Sequence, residues 1–198
     1  MKTLLFLAML FASGVARADI LANGDFKEGT AHWDGDGRTP SDNGTIDLGS
    51  NAQATPQGLI IQLDPSKWKY ISQTFSSKDS PLQCSFTYQL SHGCTFPGDA
   101  NADVTQVLTP ADLLRMTGKA GNSIGLKYGS VLLVVLDPEA HLNTHYKIKL
   151  VLDSTDAQTV TNVFPQVSPN TDKAVYLFFP PGNGTITLLH MAMTPSAP

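Results

Sequence analysis

The aromatic pair Trp68 and Tyr70 is the first feature of the sequence that could bind a ligand. The two residues alternate, so in a strand their side chains point to one side, opposite to Ile71, Gln73 and Phe75. Exposed aromatic rings stack on sugars, because the C–H groups of the sugar meet the π-face of the ring. The alternative is that both rings pack against a neighbouring loop at a sheet edge, since tryptophan is usually largely buried.

A row of polar side chains could act together with these rings. In the stretch 82–91 polar and apolar residues alternate, which places Gln83, Thr87 and Gln89 on one face of a predicted strand. These side chains could hydrogen-bond the hydroxyl groups of a polar ligand, or they could form an ordinary solvated sheet face. The opposite face is predicted to be core and carries Leu82, Cys84, Phe86, Tyr88 and Leu90.

Two further groups have residue types that bind metal ions. Asp99, Asn101 and Asp103 alternate like the oxygen donors of a calcium loop, but Val104 stands where such a loop needs glycine. The histidines at 141 and 145 would share one face of a helix and could bind zinc there. They lie between two predicted strands, however, which favours a hairpin loop, and in a loop this spacing has no such meaning.

The sequence shows no constellation typical of catalysis. It has no Gly-x-Ser-x-Gly motif, no local nucleophile–base pair and no phosphate-binding glycine loop. Glycoside hydrolysis needs two carboxylates beside one sugar. The 17 acidic residues allow many such pairs, so a glycan-active hydrolase remains a less favoured alternative to a protein without enzymatic activity.

The pattern of short apolar bursts predicts an all-β domain. Strands rich in β-branched and aromatic residues, separated by Gly, Pro, Asn and Asp, are typical of a β-sandwich. The segment 180–184, Pro-Pro-Gly-Asn-Gly, predicts a hairpin turn between the last two strands. No linker is evident, so we expect a single domain over 19–198. The predicted strands are 59–63, 70–76, 82–91, 131–136, 146–152, 159–164, 174–179 and 184–193.

One long connection, from 92 to 129, interrupts this pattern. Within it Thr109 can cap a helix, Pro110 fits its first turn and Asp112 suits its positive end, which predicts a short helix over 109–116. Connections of this length are usually functional or mobile. An adhesion or scaffold protein that binds a protein partner through this loop is therefore a competing hypothesis.

Residues 1–18 have the pattern of a cleaved signal peptide. Lys2 precedes an apolar run over 4–12, and Ala16 and Ala18 form a small-x-small cleavage site before Asp19. We therefore expect a protein that is secreted or resides in the periplasm or on the cell surface. The sequence has no second long apolar stretch, so we expect no membrane span.

Charge and cysteine content agree with export. Removal of the signal peptide takes away two basic residues and leaves 11 basic residues (13 − 2) against 17 acidic ones, a net charge of −6. A negative net charge argues against nucleic acid as a partner. An even number of cysteines in an exported chain favours a disulfide, here between Cys84 and Cys94.

The segment 20–33, ILANGDFKEGTAHW, resembles the start of galactose-binding-like jelly-roll domains, especially the CenC-type carbohydrate-binding modules of bacterial glycanases. The stretches 70–75 and 184–188 resemble later strands of the same family. The resemblance implies a jelly-roll β-sandwich that binds a glycan or polysaccharide without catalysis. From the residues themselves, Asn23 and Gly24 suit a turn with positive φ, and Phe26 and Trp33 are predicted to anchor the segment in the core.

Many members of that family bind a structural calcium ion through a Glu that follows the Phe and an Asp in the closing strand. Here Lys27 follows Phe26 and the closing strand carries His190, so Asp25 and Glu28 remain as the candidate ligands. Calcium needs several oxygen ligands. We expect no required cofactor and keep a structural calcium ion as an open alternative.

The sequence thus predicts a lectin-like, non-catalytic domain. In this hypothesis Trp68 and Tyr70 stack on a sugar, while Gln83, Thr87 and Gln89 hydrogen-bond its hydroxyl groups.

Overall fold

The computed structural model describes residues 19–35, 52–66, 68–78, 81–102, 129–136, 146–165, 167 and 172–196. This part of the chain forms ten strands in two antiparallel sheets. Sheet A has the order β1-β4-β9-β6-β7, and sheet B has the order β2-β3-β10-β5-β8. The predicted all-β sandwich is confirmed. The strands are β1 Asp34–Gly35, β2 Ala52–Thr55, β3 Gly58–Gln62, β4 Lys69–Ser76, β5 Leu82–Leu90, β6 Val131–Leu136, β7 Tyr146–Leu150, β8 Gln158–Phe164, β9 Asp172–Phe179 and β10 Thr185–Pro195.

Alternation along each strand explains how the sheets pack. All eight predicted strands are present, with ends within two residues of the prediction. In β5 every second residue from Leu82 to Leu90 is buried, as predicted, and packs in one core cluster with residues from sheet A such as Ile71, Phe75 and Leu177. Burying one face of each sheet against the other removes these apolar surfaces from water, which is the main force holding the two sheets together.

The segment 180–184 is not a hairpin turn, contrary to the prediction. It follows β9 in sheet A and leads into β10 in sheet B, so it crosses between the sheets. Gly182 donates a backbone hydrogen bond to Asp64, and Asn183 exchanges two with Thr95 at 3.0 and 3.1 Å. The apolar patterns of β9 and β10 suit pairing in either sheet. The hairpin prediction depended on the turn residues at 180–184 alone, and these residues do not say which sheet the next strand joins. The predicted hairpin of β6 and β7 is confirmed by their antiparallel pairing.

The predicted disulfide is also wrong in this structure, since Cys84 and Cys94 are both free thiols. Cys84 lies near the start of β5 and is fully buried, whereas Cys94 follows the end of that strand. Six residues of extended strand separate Cys84 from Leu90, about 20 Å at the usual rise per residue. The α-carbons of a disulfide lie about 4.4–6.8 Å apart, so the intervening strand keeps the two thiols from meeting.

Several predictions lie outside the described residues. These are the signal peptide over 1–18, the helix over 109–116 with most of the connection around it, and the histidines at 141 and 145. Among the residues that are described, no helix is both long enough and apolar enough to cross a membrane.

Candidate functional site

The opening segment 20–33 is a compact clamp held by the side chain of Asn23. Its Nδ2 donates to the carbonyls of Gly29 and Ala31 at 3.0 Å each, and its Oδ1 accepts from the backbone N–H of Glu28 at 3.0 Å. Asn23 has a φ of 48°, which confirms the predicted turn. Its carbonyl accepts a hydrogen bond of 3.0 Å from Trp33 Nε1.

The clamp is anchored in the core and tied to both sheets. Phe26 and Trp33 are fully buried with ring centroids 5.4 Å apart, so both predicted anchors are confirmed. Met191 of β10 donates its backbone N–H to the Gly24 carbonyl at 2.8 Å. On the other side, the Gln73 side chain of β4 bonds the backbone of Ala22. These contacts fix the clamp and β1 at one edge of sheet A.

Across that edge, three polar side chains form a row on the outer face of sheet A, the face turned away from the core. The strand registers pair Asp34 of β1 with Ser72 of β4, and Ser72 with Tyr176 of β9. Directly opposed residues of this kind have their β-carbons about 4.5–5.5 Å apart. The row therefore places a carboxylate, a hydroxyl and a phenol side by side.

The environment of Tyr176 keeps its phenol neutral. Partial burial raises the pKa of Tyr176, and the nearby negative charge of Asp34 raises it further. A hydrogen bond with the Ser72 side chain opposes both effects, but the net shift is upward. At physiological pH the hydroxyl of Tyr176 can thus both donate and accept hydrogen bonds.

An open pocket of about 350 Å³ lies over this row. The clamp contributes Ala22 and His32 to its lining, and β1, β4 and β9 contribute the other residues. His32 has a φ of 70°, an uncommon backbone conformation for a residue other than glycine, and its ring is exposed. The lining residues are Ala22, His32, Asp34, Ser72, Gln73, Thr74, Ala174 and Tyr176.

Aromatic rings extend from the pocket along the same outer face. Tyr176 and Phe178 are stacked with centroids 5.3 Å apart and planes at 10°, and Tyr70 lies 5.9 Å from the Tyr176 ring. Tyr70 and Tyr176 are half-buried, while Phe178 is covered. The face therefore joins a polar pocket to a partly exposed aromatic surface.

Trp68 is not the exposed platform that the sequence predicted. Only 1% of its surface is accessible, because it packs with Leu132, Val134 and Phe178 in a second apolar cluster on the outer side of sheet A. Its Nε1 is buried and has no hydrogen-bond partner in the described part of the chain. Alternation correctly placed Trp68 and Tyr70 opposite to Ile71, but it carried no information on what covers that face.

The polar residues Gln83, Thr87 and Gln89 lie on the outer face of sheet B, on the opposite side of the sandwich from Tyr70. Thr87 shares a hydrogen bond of 2.8 Å with Thr159, and Gln89 Nε2 donates to the Thr155 carbonyl at 2.8 Å. The five residues predicted as one site thus belong to two different faces and cannot hold one ligand together. Strand patterns define faces, but they do not say which sheet each strand joins.

The candidate calcium ligands point to basic partners. Asp25 forms an ion pair of 2.6 Å with Lys27, whose hydrogen bonds lower the pKa of Asp25, and Glu28 lies 3.8 Å from the His32 imidazole. The described residues contain no group of three or more His, Cys, Asp or Glu side chains suited to a metal ion. Asp25 and Glu28 alone do not fit the several oxygen ligands that calcium takes, and calcium binding stays a prediction.

The comparisons with known proteins concern the fold. A family 61 carbohydrate-binding module, solved in complex with β-1,4-galactotriose, superposes with a TM-score of 0.51 at 11% identity, over 90% of this chain and 99% of the module. A family 16 carbohydrate-binding module superposes with a TM-score of 0.50 at 13% identity, over 89% of this chain and 99% of the module. This chain has the fold of carbohydrate-binding modules. The predicted resemblance is therefore confirmed at the level of fold. No protein-family model and no curated protein sequence matches the chain.

Sequence reasoning missed the residues that build the pocket. Tyr176 and Phe178 alternate in β9 just as Trp68 and Tyr70 do at the start of β4, so the same rule could have found them. Asp34 had no such signal, because β1 is only two residues long and is defined by its pairing with β4.

Proposed function

We propose that this chain is a non-catalytic carbohydrate-binding domain that binds a glycan on the outer face of sheet A. The observation that carries the proposal is the open polar pocket directly beside the half-buried ring of Tyr176. Carbohydrate sites combine an aromatic surface with a few fixed polar groups, because a sugar has apolar C–H faces and a rim of hydroxyls. The galactotriose complex of the similar module supports a saccharide as the ligand class.

In this proposal a sugar ring packs against Tyr176, with Tyr70 extending the surface for a neighbouring unit. The carboxylate of Asp34 and the hydroxyl of Thr74 then hydrogen-bond the sugar hydroxyls, while the nearly inaccessible Ser72 hydrogen-bonds Tyr176. The backbones of β4 and β9 hold these side chains in a fixed register, so little conformational freedom is lost on binding.

Two features support binding without catalysis. Asp34 is the one carboxylate among the described residues that line the pocket, whereas glycoside hydrolysis uses two. The two similar modules are named as carbohydrate-binding modules.

We further propose that the protein is exported and meets its glycan outside the cytoplasm. A protein partner that binds through 92–129 is the alternative proposal, and of that connection 92–102 and 129 are among the described residues.

The test is a glycan-array screen followed by affinity measurement on variants of each face. Replacing Tyr176 by Ala should weaken binding about fivefold to a hundredfold, since a planar ligand stacked on an aromatic side chain, such as a nucleobase, contributes on the order of 1–3 kcal/mol and 1.4 kcal/mol is a factor of ten. Tyr176→Phe should keep much of the affinity, because the ring remains. The matched control is Gln89→Ala on sheet B, which should bind as the unmodified protein does.

Two results would contradict the proposal. Loss of binding in Gln89→Ala but not in Tyr176→Ala would move the site to sheet B. A folded protein that binds no glycan on a broad array would remove the carbohydrate hypothesis and leave a protein partner to be sought.

A further inference from the structure

The four edge strands of the described sheets differ in how well they are protected against pairing with another chain. Open edges offer free N–H and C=O groups, and proteins guard them with short strands, charged residues, proline or bulges. In sheet A, β1 has two residues and β7 carries lysines at 147 and 149. In sheet B, β2 has four residues. The fourth edge, β8, has seven residues, QTVTNVF, with no charge and no proline.

β8 is also regular and partly apolar at its surface. It pairs with β5 over seven consecutive residues without a bulge, and no described strand pairs with its other side. The exposed large hydrophobic residues among those described are Val163 of β8, at 46%, and Val151, at 56%. Val151 lines a shallow depression together with Thr159 and Val160 of β8. Both therefore lie at this one edge.

A third observation is an unsatisfied donor within the strand. The side-chain Nδ2 of Asn162 is buried but has no hydrogen-bond partner in the described part of the chain. A buried donor without an acceptor is energetically unfavourable, and such groups are rare in folded proteins. A chain that docks along β8 could supply the missing acceptor.

We propose that β8 is the docking edge for a second copy of this chain. The two β8 strands pair antiparallel about Thr161, which joins two copies of sheet B into one continuous ten-stranded sheet. In this register Thr161 faces Thr161 of the second copy, and Thr159 faces Val163. Threonine and β-branched pairs of this kind stabilise neighbouring strands.

The sequence of β8 favours its own copy as the occupant. The strand has no charged side chain, so no like charges face each other within the two paired strands. Asn162 of one copy becomes the diagonal neighbour of Asn162 in the other, about 7–8 Å between β-carbons. In the proposed dimer each Asn162 side chain turns towards the other, and a hydrogen bond between the two amides then gives the Nδ2 an acceptor.

The test is the concentration dependence of the mass of the full chain, measured by sedimentation equilibrium from low micromolar to submillimolar protein. The unmodified protein should pass from one to two chains. Thr161→Lys places two like charges across the axis and should leave a monomer throughout the range. Val163→Lys, at a second exposed position, should do the same. The matched control, Gln53→Lys, adds an equal charge to the β2 edge of the same sheet and should dimerise as the unmodified protein does.

The register has its own test. Thr161→Cys should form an intermolecular disulfide under mild oxidation, because directly opposed residues of antiparallel strands lie within disulfide reach. Gln53→Cys should remain uncrosslinked. A protein that is monomeric at every concentration, or a dimer that survives both Thr161→Lys and Val163→Lys, would overturn the proposal. Foreign extended segments would then be the remaining occupants of this edge.

Discussion

Gln73 and Ala22 are joined by two hydrogen bonds although they lie 51 residues apart in the chain. The Ala22 N–H donates to Gln73 Oε1 at 2.7 Å, and Gln73 Nε2 donates to the Ala22 carbonyl at 2.9 Å. Gln73 is nearly inaccessible and points to the core side of β4. One amide side chain thus satisfies both backbone groups of a residue that lines the proposed binding pocket.

Replacing Gln73 by Met should lower the free energy of unfolding by about 2–3 kcal/mol, because it removes both bonds and leaves two backbone groups poorly paired. The measurement is urea denaturation followed by circular dichroism. The matched control is Gln53→Met, at an exposed glutamine of β2, which should change stability by less than about 0.5 kcal/mol. Equal losses in the two variants would show that the Gln73–Ala22 bonds contribute little.

Gly24→Ala should destabilise the clamp strongly. A β-carbon at Gly24 would collide with the backbone carbonyl of Met191 in β10, a central strand that cannot move aside. We expect a loss of about 2 kcal/mol or more, measured by urea unfolding. Gly93→Ala is the comparison, because its added β-carbon meets nothing within 4 Å and suffers only from a φ of 75°. A milder effect at Gly24 than at Gly93 would contradict this account.

The two thiols should differ in reactivity in the folded protein. Burial raises the pKa of Cys84 to about 12 and also raises the pKa of Cys94, which is only half-buried. Since the thiolate is the reactive form, iodoacetamide at mildly alkaline pH should modify Cys94 slowly and Cys84 only after unfolding. Mass spectrometry of the alkylated protein measures this. An intact mass that rises on reduction would instead reveal a disulfide.

Tyr176 should make the protein less stable at high pH. Its pKa in the folded state lies above the usual value for tyrosine, so the unfolded chain releases the phenol proton first. The stability associated with the neutral phenol is complete below the unfolded pKa and is lost as pH rises through the folded pKa. The free energy of unfolding of the unmodified protein should therefore fall more steeply from about pH 9 to 11 than that of Tyr176→Phe. Parallel curves would contradict the raised pKa.

The alternation of apolar and polar residues along the strands determines how much of the fold the sequence could predict. β5 and β6 are long and strongly patterned, and their bounds were predicted within one residue. β1 and β2 were missed because two- and four-residue strands carry no readable pattern and depend on their partners. The pairing of strands into sheets depends on contacts between distant residues, which explains the error at 180–184.

The candidate site was predicted only in part for the same reason. Tyr70 was assigned to the correct face, but Trp68 beside it is covered and Gln89 lies on the other sheet. The exposure of a side chain depends on all the residues packed against it, many of which are distant in the sequence. The local sequence therefore does not predict it. Residues such as Asp34 and Ser72 become neighbours only when the strands that carry them pair.

The strands beneath the proposed site are buried on both faces. Leu133 of β6 and Leu177 of β9 point into the core, while Leu132 and Phe178 are equally inaccessible on the outer side. Local opening of these strands would expose two apolar layers at once, so their amide hydrogens should exchange with solvent only when the whole molecule unfolds. We therefore expect Tyr176 to project from a slowly exchanging part of the described structure, so that the proposed ligand would meet a surface whose shape is set before it arrives.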